Sequence, residues 1–302
     1  MYRYRLAGLG FESPIALPEL GPEGYCAADT RVRIAQAAVP PPHGGSPPPG
    51  AMAWSSTPSR CLLEVDQVAR FEVRDGTMVT FERTAALSDD LLRLYLMGSV
   101  LGALWHQRGR LPLHAGALDI AGRAWAFVGA SGAGKSSLVV SMAAAGAGYL
   151  CDDVCVVDVP GDESALAWPG LARLRVSPEI CALLALDDKG QLDPFGKRSL
   201  SPPWPRPHGA RPVAGILVLE VDPDVPYPVL DRLTPPAALA ATLTHTYRLE
   251  YRPTEHRGEH FAQCAALTRQ VPVYRLRRPW GKDRLQSDAQ RIIELLAALP
   301  AP

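Results

Sequence analysis

The run Gly129-Ala130-Ser131-Gly132-Ala133-Gly134-Lys135-Ser136 fits the pattern G-x-x-x-x-G-K-[ST] at every fixed position. Its surroundings fit as well. Arg123 to Val128 reads as a short apolar strand, and Ser137 to Ala145 as the helix that follows. Glycines let successive backbone N–H groups turn inward around phosphate oxygens, and the start of the helix adds partial positive charge. Lys135 would reach the outer phosphates of a nucleotide as a point charge, and the Ser136 hydroxyl would sit on Mg²⁺. A glycine-rich turn that merely starts a helix leaves Lys135 without a role. Gly129 to Ser137 are therefore the predicted nucleotide-binding residues, and the feature implies an α/β fold: a mixed sheet around the phosphate loop (P-loop) with flanking helices.

Composition narrows the partners. Lys+Arg and Asp+Glu each number 31 in 302 residues, so the chain has no electrostatic footprint of a general nucleic-acid binder. Its length suits one large or two medium domains. The 6 cysteines are scattered without metal-ligand spacing, which points to a reducing cytoplasm. The N-terminus lacks the apolar stretch of a signal peptide. Leu91 to Trp105 is too short to span a bilayer and carries Arg93, so it reads as a buried helix. A soluble cytoplasmic protein without membrane contacts is expected.

Residues 1–105 read as a β-rich N-terminal region, and 106–302 as the domain around the phosphate loop. In the first part, Tyr2–Leu6, Thr30–Ile34, Leu62–Val65, Ala69–Val73 and Thr77–Phe81 have strand character. Asp75-Gly76 is a hairpin signal, the 40–50 run of Pro and Gly an exposed loop, and Ser88 an N-cap for the helix Leu91–His106. In the second part, Tyr149 to Val157 reads as one strand interrupted by Asp152 and Asp153. Two acids within a buried strand are costly unless they hold a metal or a substrate; at a strand end both would reach water. Arg173 and Arg175 would share one face of a strand, and 187–212 forms a polar, Pro-rich loop carrying Lys197 and Arg198. Val213–Val221 reads as a buried central strand ending near Glu220, Val271–Leu276 as another, and Pro235–Thr244, Glu259–Arg269 and Asp288–Leu299 as helices.

With His114 before the loop and Asp152-Asp153 after it, residues 110–160 resemble the catalytic domain of HPr serine kinase/phosphorylases. LPLHA, FVGASGAGKS, the Asp-Asp strand, PGLARLRV and PVAGILVLE are more closely similar to the HPr-kinase-like kinases found with lasso-peptide biosynthesis. The glycine-rich signature of the bifunctional enzymes is replaced here by PGLARLRV, so the resemblance does not extend to reverse phosphorolysis. It implies an HPr kinase C-terminal-domain-like fold and a kinase using ATP and Mg²⁺. The acceptor would be a peptide serine, favoured as the C-terminal serine of a lasso-type precursor, and a homo-oligomer is conceivable.

Carried over by residue, the resemblance gives Asp152 the role of base, Asp153 that of holding Mg²⁺ with Ser136, and His114 that of tuning the pair. The two aspartates could exchange roles. Lys135 completes the catalytic set, and Arg173, Arg175, Lys197 and Arg198 are candidates for the γ-phosphate or an acceptor carboxylate. Alternative readings are a kinase of an HPr-like protein or of free serine, and an ATP-binding regulatory module that transfers nothing.

Overall fold

A computed structural model describes residues 1–21, 31–84, 88–161, 163–187, 192–193, 195–279 and 281–300. Cys26, Thr30 and part of the expected 187–212 loop lie outside the described residues. The chain forms two compact units, 1–112 with 247–260, and 113–246 with 261–302. The first unit thus runs past the expected boundary at 105 and includes a later segment.

The first unit is built on a 7-stranded sheet, in the order β1-β2-β3-β7-β6-β5-β4. These strands are β1 (Tyr2–Leu6), β2 (Leu9–Ser13), β3 (Arg31–Gln36), β4 (Met52–Ser56), β5 (Arg60–Val65), β6 (Ala69–Arg74) and β7 (Met78–Arg83). β5, β6 and β7 pair antiparallel, and β3 lies parallel to both β2 and β7. Strand alternation is plain in β3, where Val32 and Ile34 are buried and Arg31 and Arg33 are not. Asp75 and Gly76 both have positive φ (51° and 59°), the geometry that lets a two-residue turn match the twist of its hairpin.

The single helix expected over Leu91–His106 is three segments. α1 (Asp89–Tyr95) passes into a π-helical turn at Leu96–Val100 and then α2 (Leu101–Gln107). The Ser88 hydroxyl accepts from Leu91 N and so caps α1 as expected. A Cβ on Gly102 would stand 3.0 Å from the Tyr247 ring, so the small residues here admit that side chain. The 40–50 segment is a mostly exposed loop.

β8 (Leu111–Leu113) lies across the division between the units. The second unit continues with β9 (Gly116–Ile120), β10 (Arg123–Val128), α3 (Lys135–Ala144), β11 (Gly148–Cys151), β12 (Cys155–Asp158), β13 (Leu166–Ala167), β14 (Leu174–Val176), α4 (Pro178–Leu183) and β15 (Arg198–Leu200). It ends with β16 (Arg211–Val221), β17 (Val229–Arg232), α5 (Pro235–Thr244), α6 (Arg257–Gln270, its first residues in the first unit), β18 (Val273–Arg278) and α7 (Leu285–Ala297).

The central strand β16 runs parallel to β10 on one side and β18 on the other, with β9 and β17 added antiparallel outside them. Its near-continuous apolar run is what a strand covered on both faces requires. α3 and α7 pack together against this sheet. α3 shows no one-sided pattern because Leu138, Val139, Val140 and Met142 are all fully buried. α7 buries Leu285, Ala289, Ile292 and Leu296, the i, i+4, i+7, i+11 face of an amphipathic helix. Each large apolar side chain buried this way stabilises the fold by roughly 2 kcal/mol. The architecture is mixed α/β.

Two expectations change. Tyr149–Val157 is not one strand: β11 and β12 are separated at Asp152-Asp153-Val154, where Asp153 has φ 77°. A left-handed aspartate ends β11, because that backbone turns the chain out of the extended line. Arg173 precedes β14 instead of sharing a strand face with Arg175, and it is buried at 8% exposure.

Candidate active site

The glycine loop joins the carboxyl end of β10 to the start of α3, at the end of the sheet where α/β proteins bind ligands. Gly129 is needed for close approach, since a Cβ there would meet the Leu219 carbonyl at 3.2 Å. Gly134, with φ 84°, is the left-handed N-cap from which α3 starts. Around it, the carbonyls of the loop turn to positive donors. Lys135 Nζ donates to the Gly129 carbonyl at 2.8 Å and to the Ala130 carbonyl at 3.2 Å. Burial lowers the Lys135 pKa, against the opposing fields of Asp153 and Asp152.

The β11–β12 turn brings the two aspartates to the same place with different surroundings. Asp152 is 6% exposed. Its Oδ2 accepts from Arg175 N at 3.2 Å, and the nearby Ser136 side chain acts on the same carboxylate. Burial first, and the neighbouring Asp153 second, raise its pKa above the ordinary carboxylate value. Asp153 is more open. Its Oδ1 lies 3.6 Å from His114 Nδ1, and its Oδ2 3.6 Å from Arg175 Nη1.

Of the expected phosphate or acceptor contacts, Arg175 enters this cluster with its side chain. It is held by Asp193, whose Oδ2 accepts from Nε at 2.9 Å and Nη2 at 2.6 Å. Asp193 Oδ1 also accepts from the backbone N–H of Phe195 and Lys197. Burial would raise the Asp193 pKa, but these bonds outweigh it and hold the group below the ordinary carboxylate value. The charge of Lys197 reaches both Asp152 and Lys135. Arg173 lies apart: its carbonyl accepts from the Tyr149 hydroxyl at 2.8 Å, and its charge acts on that buried ring. Arg198 opens β15 opposite Val176. Glu220 pairs at the exposed end of β16 with Arg275, at 3.2 Å, so it is a strand-end ion pair.

Sequence reasoning missed Asp193 and His245. Asp193 sat inside a polar loop with no spacing pattern to single it out. His245 follows α5, and its carbonyl accepts from His114 N at 2.7 Å. Burial, then the fields of Lys135 and His114, lower its pKa. No local signal joins residues 114 and 245; only the fold does. Among the described residues, no group of three or more His, Cys, Asp or Glu side chains is placed to hold a metal ion by itself.

No protein-family model matches this chain, and no curated protein does. A solved structure described as the Hpr(Ser) kinase/phosphatase from Coxiella burnetii is 13% identical and covers 61% of this chain and 96% of that chain, with a TM-score of 0.33. A likeness of that size fixes neither an activity nor the residues that carry one. Among the described residues, no helix is long and apolar enough to cross a membrane.

Proposed function

We propose that this chain is an ATP-dependent kinase that phosphorylates a serine hydroxyl of a peptide or protein. The observation that carries the reading is the buried Asp152 carboxylate, 6% exposed, brought beside Ser136 at the end of the glycine loop. Phosphoryl transfer asks a protein to hold the phosphates, neutralise them and set a base beside the attacking hydroxyl. A nucleotide-binding module that transfers nothing has no use for such a base.

The donor set suits the reactants. A hydroxyl and a carboxylate, Ser136 and Asp153, are hard oxygen ligands of the kind Mg²⁺ takes from a protein, with phosphate and water supplying the others. When bound, ATP supplies the γ-phosphoryl group and Mg²⁺ neutralises its charge. The backbone of Gly129–Ser137 and the Lys135 ammonium hold the phosphates. Asp152 accepts the proton of the serine hydroxyl, a task its burial favours by strengthening it as a base. Asp153, faced by His114 and Arg175, would hold the metal. Lys197, Arg198 and the Asp193-anchored Arg175 supply positive charge for the γ-phosphate or for an acceptor carboxylate. The C-terminal serine of a lasso-type precursor, which presents such a carboxylate, is the favoured acceptor.

Mass spectrometry after incubation with ATP and Mg²⁺ tests the reading. The acceptors are serine-ended peptides, their alanine-ended counterparts, an HPr-like protein and free serine. One added phosphate on the serine-ended peptide alone is the expected result. Phosphorylated free serine moves the chain to small-molecule metabolism, and ATP binding with no acceptor modified overturns the kinase reading.

A further inference from the structure

β10, β16 and β18 are parallel neighbours, so their carboxyl ends lie side by side at the glycine loop. Strand alternation puts Tyr274, Leu276 and Arg278 on one face of β18. Leu276 is fully buried on that face, and Arg278 is buried at 2% exposure. An arginine at an interior position is held there by partners. One is the glycine loop itself: Arg278 Nη2 donates to the Ala133 carbonyl at 3.1 Å. Another is Asp288 on α7, 3% exposed, whose charge acts on the guanidinium. Burial lowers the Arg278 pKa and raises that of Asp288, and each opposes the shift in the other.

The position of Ala133 gives this contact its meaning. It lies between Gly132 and Gly134, both with left-handed φ (82° and 84°). For a loop to aim its N–H groups at an anion, its carbonyls must point away from the anion and find donors elsewhere. Arg278 covers the carbonyl of Ala133, from the strand two places across the sheet.

We propose that Arg278 is a positioning residue for nucleotide binding: through the Ala133 carbonyl it holds the glycine loop in its phosphate-binding shape. This rests on the nucleotide-binding reading given above.

Calorimetric titration with ATP and with ADP, each with Mg²⁺, tests it alongside thermal melting. The proteins are wild type, Arg278→Met, Arg278→Lys and Lys135→Ala. The Met variant should stay folded and bind ATP about 10-fold more weakly, the scale of one charge-assisted hydrogen bond. Lys keeps the charge and a donor, and should restore affinity to within about 3-fold. In steady-state assays the loss should appear in the KM for ATP, with kcat at saturating ATP little changed. If Arg278→Met does not fold, Arg278→Gln takes its place with the same loss required.

Wild-type affinity in a folded Met or Gln variant overturns the proposal. So do equal affinity losses in the Met and Lys variants, and so does failure of both Met and Gln variants to fold, which makes Arg278 a folding residue only. Lys135→Ala separates the two readings. If it abolishes ATP binding while Arg278→Met keeps it, only the role of Arg278 falls. If wild type binds no ATP, the nucleotide reading itself falls.

Discussion

Asp152 and Asp153 are adjacent in the chain and opposite in environment: Asp152 is buried against Ser136 and the Arg175 N–H, while the Asp153 carboxylate opens between His114 and Arg175. Two carboxylates placed in such different surroundings are suited to different tasks. The one in the interior is the stronger base, and the more open one, beside His114 and Arg175, can be reached from solvent.

Asp152→Asn tests the first half of that division. The amide keeps an oxygen to accept from Arg175 N, so the turn should hold. ATP binding should persist while phosphate transfer falls by about 100-fold or more, the range for loss of a general base. Near-normal turnover in single-cycle assays would rule Asp152 out as the base.

Asp153→Asn tests the second. Asparagine tolerates the left-handed backbone at φ 77°, so this change removes charge without straining the turn. The Mg²⁺ concentration for half-maximal activity should rise by about 10-fold, on the scale of a lost charged ligand. Asp153→Val, by contrast, should also lower stability by about 1–3 kcal/mol, because a β-branched residue resists positive φ. Equal melting temperatures for the two variants would contradict that account.

Arg175→Lys should not be conservative. A lysine cannot donate to Asp193 from two nitrogens while a third approaches Asp153. Turnover should fall by about 10-fold with the ATP affinity nearly unchanged, on the scale of one charge-assisted hydrogen bond. A matched loss of ATP affinity, read by calorimetry, would place Arg175 on the nucleotide instead of the acceptor side.

Acid should destabilise the first unit through His106. Its Nε2 donates to the Tyr247 carbonyl at 2.8 Å, and no partner for its buried Nδ1 is found among the described residues. Protonating Nδ1 would leave a buried N–H unpaired, and burial lowers the pKa from 6.5 to about 4. The unfolded chain therefore binds the proton first. Stability should fall as pH drops from 6.5 toward 4 and level off below, by roughly 3 kcal/mol in all from this group. His260, lowered to about 4 chiefly by burial, acts in the same direction. Melting temperatures that stay flat across that window would exclude the effect.

The residues themselves determined the parts of this protein that depend on local backbone chemistry. The G-x-x-x-x-G-K-S spacing located the loop between a strand and a helix, because only glycines tolerate its turns. The apolar run of β16 marked a strand covered on both faces, and Asp75-Gly76 and Ser88 marked a hairpin and a cap through their own geometry. What the tertiary structure decided is which distant side chains meet. The left-handed turn at Asp153 splits what reads as one strand, since an apolar pattern does not register a change in φ. Asp193 on Arg175, His245 against His114 and Arg278 beneath Ala133 arise from loops and parallel strands converging at one end of a sheet. Those contacts join residues up to 145 positions apart, and no period in a sequence encodes a pairing at that range.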